Sequence, residues 1–325
     1  MLLKSPFTVV LSCALIALMP IKVLADSASY PSRPVRLVVP FPAGGPADIL
    51  GRIIAQGLSE SLGQQVIVDN RGGANTVIGA QTVARAAPDG YTLLLAIDST
   101  LAMNPSLYSK LAYDPAKDFE PIGLVAEVPC IIAVNNSFPA ENLAQLLALA
   151  RVSPGKINFA HGTVTMHVGG ELLNQMAKVR MTPVAYKGGG TSIVAVMGGE
   201  VQVTMEAAAT IVPNAQAGKV RPLAVMGARR IAAMPDLPTV AESGVPGYDV
   251  SVWQSLVAPA GTPPEIINRL NRDVTALMNR ADTKARLEKV GLAPLTSSPQ
   301  ELAALIKAET AKWSAVIQDV GLRIN

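Results

Sequence analysis

Beyond residue 34 the chain alternates between two kinds of apolar pattern. Nearly continuous runs such as Val35-Arg36-Leu37-Val38-Val39 read as buried strands, and similar runs stand at 66–68, 91–96, 157–160, 182–185, 201–205, 222–226 and 250–258. Between them, apolar residues recur every three or four positions, as in Ile49, Leu50, Ile53, Ile54, Leu58 and Leu62, a stripe that Gly63 closes as a helix C-cap. Further helices are predicted over 76–87, 140–151 and 167–178. Two more begin near the carboxyl end, where Thr262-Pro263-Pro264-Glu265 and Ser298-Pro299-Gln300-Glu301 both spell a capping box. Alternating strands and helices predict an α/β fold with mostly parallel sheets flanked by helices.

The run over 122–134 reads as one long strand that crosses into a second lobe, with return near 250–258. The predicted organisation is lobe 1 from 26–125 plus 250–325 and lobe 2 from 126–249. Two crossings make a hinge, and a hinge makes a cleft that can close on a ligand.

The first 25 residues have another character. Lys4 precedes an apolar run over 7–19, and Val23-Leu24-Ala25 suits cleavage before Asp26, the pattern of a secretory signal. The run is shorter than the ~20 residues of a membrane span. Without Lys4 and Lys22, 25 basic residues face 24 acidic ones, so charge offers no footprint for nucleic acid. Cys130 is then the only thiol left, predicted to be a small buried hydrophobe.

Several polar or glycine-rich turns follow the strands. Phe41-Pro42-Ala43-Gly44-Gly45-Pro46-Ala47-Asp48 joins strand to helix, where backbone N–H groups meet the positive end of a helix dipole and suit an anion. An ordinary turn capped by Asp48 is the other reading. The Asp98-Ser99-Thr100 loop should face the same crevice, with Ser99 and Thr100 either bonding a carboxylate or capping a helix. His161, His167 and Glu171 invite a metal reading, but no His-Glu-x-x-His pattern or Cys cluster supports it, and no cofactor is implied. The glycine loops lack the spacing of a nucleotide site, and no nucleophile elbow or activated thiol supports catalysis.

The motif order across the chain resembles the Bug family, the periplasmic solute receptors of tripartite tricarboxylate transporters. The match rests on the 31–95 stretch, Asn104-Pro105-Ser106-Leu107-Tyr108, Tyr186-Lys187-Gly188, Gly218-Lys219-Val220-Arg221, Leu237-Pro238-Thr239-Val240-Ala241-Glu242, Trp253 and Ala258-Pro259-Ala260-Gly261-Thr262-Pro263. It implies a two-lobed, type II-like periplasmic binding protein fold and a small carboxylate held in the cleft. It further implies periplasmic location, no enzymatic step and delivery to large and small membrane subunits of a transporter; monomer is the default state.

The resemblance favours solute contact for Phe41, Ala43, Gly44, Gly45 and Asp48, and brings Tyr186, Lys187 and Gly188 to the opposite wall. Relatives carry a longer Ser- and Gly-rich loop where this chain has His161-Gly162-Thr163, ending in a His that begins a helix; His167 and Glu171 match that ending. Gly162 and Thr163 remain candidate donors and His161 a cleft-edge group. Glu206 stands where relatives commonly have Asp, and either meets the solute or caps the next helix. Phe41, Tyr186 and Trp253 are candidate apolar walls, Trp253 equally a core residue. A periplasmic sensor presenting its closed form to a signalling partner is the alternative role, and a periplasmic hydrolase the third; a cytosolic transcription regulator is disfavoured by the signal sequence.

Overall fold

The computed structural model describes residues 30–324, so the predicted signal segment lies outside the described residues. Among the described residues, eleven strands form two sheets. The first holds β1 (Val35–Val39), β2 (Val66–Asn70), β3 (Thr92–Ile97), β4 (Phe119–Val128), β10 (Val252–Pro259) and β11 (Ala293–Pro294), in the order β11-β4-β10-β3-β1-β2. The second holds β5 (Cys130–Asn135), β6 (Asn158–His161), β7 (Thr182–Ala185), β8 (Val203–Ala207) and β9 (Val220–Val225), in the order β7-β6-β8-β5-β9.

The sheets are mixed rather than mostly parallel. β1 runs parallel to β2 and β3, and β6 runs parallel to β7 and β8, as strand–helix–strand alternation predicts. β10 is antiparallel to β3 and β4, and β5 is antiparallel to β8 and β9. These are the strands on which the chain enters each sheet, so they run away from the shared edge while their neighbours run towards it. The long strand expected over 122–134 is in fact two strands in different sheets. Pro129 lies between them, without an N–H to continue a ladder, and its carbonyl accepts from Ala208 N–H at 2.7 Å.

The helices at the carboxyl end follow the predicted stripes. Ile267, Leu270, Val274, Leu277 and Met278 of Pro264–Asn279 are buried against the first sheet with Leu50, Ile54 and Leu58 of Pro46–Leu62. The capping box at Ser298 is complete, with Glu301 N–H on Ser298 Oγ at 3.1 Å and Ser298 N–H on Glu301 Oε2 at 2.7 Å. The one expected at Thr262 does not form; that hydroxyl donates to the Pro259 carbonyl, and helix Pro264–Asn279 starts without a side-chain cap. Helix Pro299–Asp319 lies across both sheets: Leu302, Trp313, Val316 and Ile317 share one continuous core with Leu101 and Met103 after β3 and with Phe159, Leu172 and Leu173 of the second sheet's side.

Candidate functional site

β1, β2 and β3 end at the edge where β4 passes the chain to β5, and β6, β7 and β8 end at the corresponding edge of the second sheet. The turns that leave these ends are the ones the sequence singles out.

The turn after β1 is built around Asp48, which is 3% exposed. Its Oδ2 accepts from Gly44 N–H and Arg52 Nε, both at 2.9 Å, and its Oδ1 from Asn70 Nδ2 at 3.0 Å; Asn70 also holds the Phe41 carbonyl. The Arg52 bond, aided by Gly44 and Asn70 and opposed by burial, keeps this carboxyl below its usual range. Gly44 supplies the left-handed φ of +88° that the turn requires. Its N–H is engaged by Asp48. Ala43 and Gly44 are exposed, Gly45 and Phe41 half-buried, and Phe41 packs on the first core. Helix Pro46–Leu62 begins with no side-chain cap, and the amides of Ala47 and Asp48 have no acceptors among the described residues.

The loop after β2 is a feature sequence reasoning passed over. Ala74, Asn75 and Thr76 all have left-handed φ values, of +47°, +48° and +74°. Such residues cost on the order of 1–3 kcal/mol each and persist only where the surroundings hold them. Here Asn75 and Asn104 bond reciprocally, Tyr108 donates to the Ala74 carbonyl, and Thr76 Oγ1 lies 2.7 Å from Thr100 Oγ1. The glycine pair Gly72-Gly73 after a strand, like Gly44-Gly45, was the available signal.

The segment after β3 is a wide helical turn, Ser99–Met103, instead of a polar loop. Thr100 is fully buried by its contact with Thr76, and its carbonyl accepts from Tyr113. Ser99 is buried as well. Asp98, not among the predicted contacts, is completely buried; its Oδ2 accepts from Thr165 Oγ1 at 3.0 Å, and its Oδ1 has no partner. Burial pushes this carboxyl up to about 7, against the pull of Ser99 N–H and the Thr165 hydroxyl.

On the second sheet, Thr163 caps helix Val164–Ala177 by accepting from Met166 N–H, so His167 sits one turn inside the helix rather than at its start. The His161 and His167 rings stack at 4.5 Å, and His167 Nε2 is 3.9 Å from Glu171. Burial first, then the neighbouring imidazole, push His161 down to about 4; burial lowers His167 too, with Glu171 opposing. The pair is a neutral stack closing the short loop. Among the described residues no three His, Cys, Asp or Glu side chains are disposed to hold a metal.

Gly162 packs directly on the next glycine turn: a Cβ there would lie 2.4 Å from the Gly188 carbonyl carbon. Gly188, with φ +94°, caps helix Gly189–Met197, and Glu206 lies beneath Gly189, 4% exposed. Glu206 Oε1 has no partner, and burial raises the carboxyl to about 7 against the Ser192 hydroxyl and the N–H groups of Gly162 and Ala207. Gly162, Gly188, Gly189 and Glu206 thus form one cluster. The helix over Glu206 is the preceding one, not the one it was expected to cap. Lys187 is exposed, and the Tyr186 hydroxyl donates to Glu200, beyond the far end of helix Gly189–Met197. Trp253 is 3% exposed within the shared core. Cys130 is buried at the crossing, its thiol pushed up by burial. A cavity of about 350 Å³ beside the crossing is lined by Glu127, Cys130, Arg229 and Arg230 among others, and by none of the predicted solute contacts.

Comparison with known proteins decides the family. A family model described as the tripartite tricarboxylate transporter family receptor matches residues 50–322. The chain belongs to that family. The receptor is similar to three solved structures. One is the R. palustris protein Rpa4515 with adipate: 37% identity, TM-score 0.79, 91% of this chain and 100% of that one. The second is MatC from Rhodopseudomonas palustris with bound malate: 34% identity, TM-score 0.75, 89% and 100%. The third is the periplasmic binding protein BugD: 34% identity, TM-score 0.75, 91% and 100%. The fold is therefore the two-lobed α/β fold of periplasmic binding proteins, and the chain is a solute-binding receptor, not an enzyme.

Proposed function

We propose that this receptor captures a small organic acid in a crevice between its two lobes and delivers it to the membrane subunits of a tripartite tricarboxylate transporter. We take the lobe boundaries a few residues later than the predicted 125/126, because β4 runs to Val128; the proposed crossings are Pro129 and the stretch between β9 and β10. The first 25 residues direct the chain to the periplasm, where it works as a monomer. The observation that carries the reading is the convergence of strand carboxyl ends: a glycine turn and an uncapped helix start on one side, the Gly162–Gly188 cluster on the other. Adipate and malate in the similar structures support a carboxylate as the solute.

No arginine is needed. The first-turn amides of Pro46–Leu62 and Gly189–Met197, each at the positive end of a helix, supply the attraction from opposite walls. Asp48 shapes the first wall without touching the solute, and Gly162 brings the second wall together. Only the closed state presents both sets of donors, so the solute draws the lobes shut by its differential affinity.

A thermal-shift panel tests this. A specific acid at a hundredfold excess over its Kd should stabilise the receptor by about 2.7 kcal/mol, while its diamide should not. G44V, which forces a β-branched residue to φ +88°, should abolish the shift in a folded protein. Equal shifts with acid and diamide, or none with any acid, would count against the reading.

A further inference from the structure

The cavity beside the crossing is walled by both sheets. The ends of β4 and β11 close it on one side, and the end of β9, the segment 227–232 and Val250 close it on the other. Its volume of about 350 Å³ is room for a small organic molecule. Val128, Val225, Ile231 and Leu295 give it an apolar surface, and the Cys130 thiol, kept neutral by burial, extends that surface. Three charged side chains complete the lining: Glu127 from β4, and Arg229 and Arg230 from the segment after β9.

These charges are loosely matched. Arg229 Nη2 donates to Glu127 Oε2 at 3.4 Å, long for a charge-assisted bond, and neither side chain makes another bond among the described residues. Yet the Glu127 side chain is only 17% exposed, against 77% for Arg229. An ionised carboxylate accepts several donors, so one covered to this extent and held by a single long bond has capacity for another. Arg230 gives Nε to Glu242 and Nη1 to the Pro235 carbonyl. The cavity thus offers an acceptor from one sheet, donors from the other, and an apolar surface beside them.

We propose that this cavity is a second binding site, separate from the solute crevice, for a small α-amino acid with an apolar side chain. Its ammonium meets Glu127, its carboxylate meets Arg229, and its side chain lies against Val128, Val225 and Leu295. A simple anion would be set against Glu127 and a simple cation against the two arginines; a zwitterion satisfies both signs and replaces one loose ion pair with two. Held there, the molecule would bridge the two sheets where the chain crosses between them. This site stands whether or not the crevice takes a carboxylate.

Isothermal titration calorimetry with L-leucine tests the proposal. The comparators are isocaproate, which lacks the ammonium, and isoamylamine, which lacks the carboxylate. Leucine should bind, and each comparator should bind about tenfold or more weakly than leucine. E127Q and R229Q should each weaken leucine by a similar factor, while E127Q should not weaken isocaproate and R229Q should not weaken isoamylamine. The exposed Arg229 side chain keeps the test open if E127Q does not fold. G44V, altered in the first glycine turn, should bind leucine as the parent does. No binding of leucine at about 10 mM, equal binding of either comparator, or affinity unchanged in R229Q would each overturn the proposal. So would leucine binding lost in G44V and kept in R229Q, which would make leucine a solute of the crevice. Failure of the acid panel would instead remove the carboxylate reading and leave this site untouched.

Discussion

Asp48, Asp98 and Glu206 show how little a residue's type says about its state. All three are buried acids at strand carboxyl ends, yet Asp48 is held ionised by Arg52, Gly44 and Asn70 while the other two are raised to about 7 by burial. The raised pair sets the sign of a stability profile. Between their unfolded values near 4 and their native values near 7, the native state holds protons that the unfolded chain has lost. Unfolding free energy therefore declines as pH rises through that window, by at most about 1.4 kcal/mol per unit and per carboxyl, and levels off above it. His161 and His167, lowered by burial, oppose this below about pH 6.5, so chemical denaturation should find the decline clearest between about pH 6.5 and 7.5, and reduced in D98N and in E206Q. A profile that rises over this range would contradict the assigned states. Glycines divide in the same way. G162A should cost about 1–3 kcal/mol, because its Cβ would meet rigid backbone, while G190A, with nothing within 4 Å, should be neutral within about 0.5 kcal/mol. The glycine turns were legible as turns because only spacing was needed. Asp98 was not, since an Asp after a strand looks like any exposed loop residue until the opposite lobe covers it.

At the scale of elements, periodicity located most strands and every long helix, and it failed where a partner element decided the outcome. The 122–134 run was continuous in hydrophobicity, so only the missing N–H of Pro129 marked the change of sheet. The Tyr186 hydroxyl donates to Glu200, a partner that no spacing pattern predicted. Thr262 and Ser298 open the same pattern, Thr/Ser-Pro-x-Glu, and differ in context. Thr262 is fixed in the turn after β10 by the Pro259 carbonyl, whereas Ser298 is free to turn onto its helix. S298A should accordingly destabilise by about 1 kcal/mol, and T262A should cost no capping energy. Urea titration of the two variants, comparing midpoints at equal m-values, separates a lost cap from a lost turn bond only if T262A leaves helix Pro264–Asn279 as protected in hydrogen exchange as it was.

A receptor that closes about a hinge needs two bodies, yet the core does not divide that way. Helix Pro299–Asp319 packs on the turn after β3 and on helix Val164–Ala177, Gln175 Nε2 reaches Asp319, and Lys312 Nζ holds the Asp249 carbonyl near the second crossing. Trp313 stands fully buried in the cluster that runs through both sheets, its indole N–H on Glu309 at 2.7 Å. Packing this continuous transmits instability from one sheet to the other, so calorimetry should record a single unfolding transition in which van't Hoff and calorimetric enthalpies agree. W313A removes a fully buried tryptophan side chain from that shared layer and one of the two donors on Glu309, Lys312 Nζ remaining. The expected loss is about 3–5 kcal/mol. Because the remaining contacts lie mostly within each sheet's own helices, the variant should unfold in two steps, and the step that survives to higher temperature should be the one a bound solute no longer raises in full. A W313A protein that still melts in one transition, merely at lower temperature, would mean that the two sheets are coupled through the crossings themselves and not through the carboxyl-terminal helix.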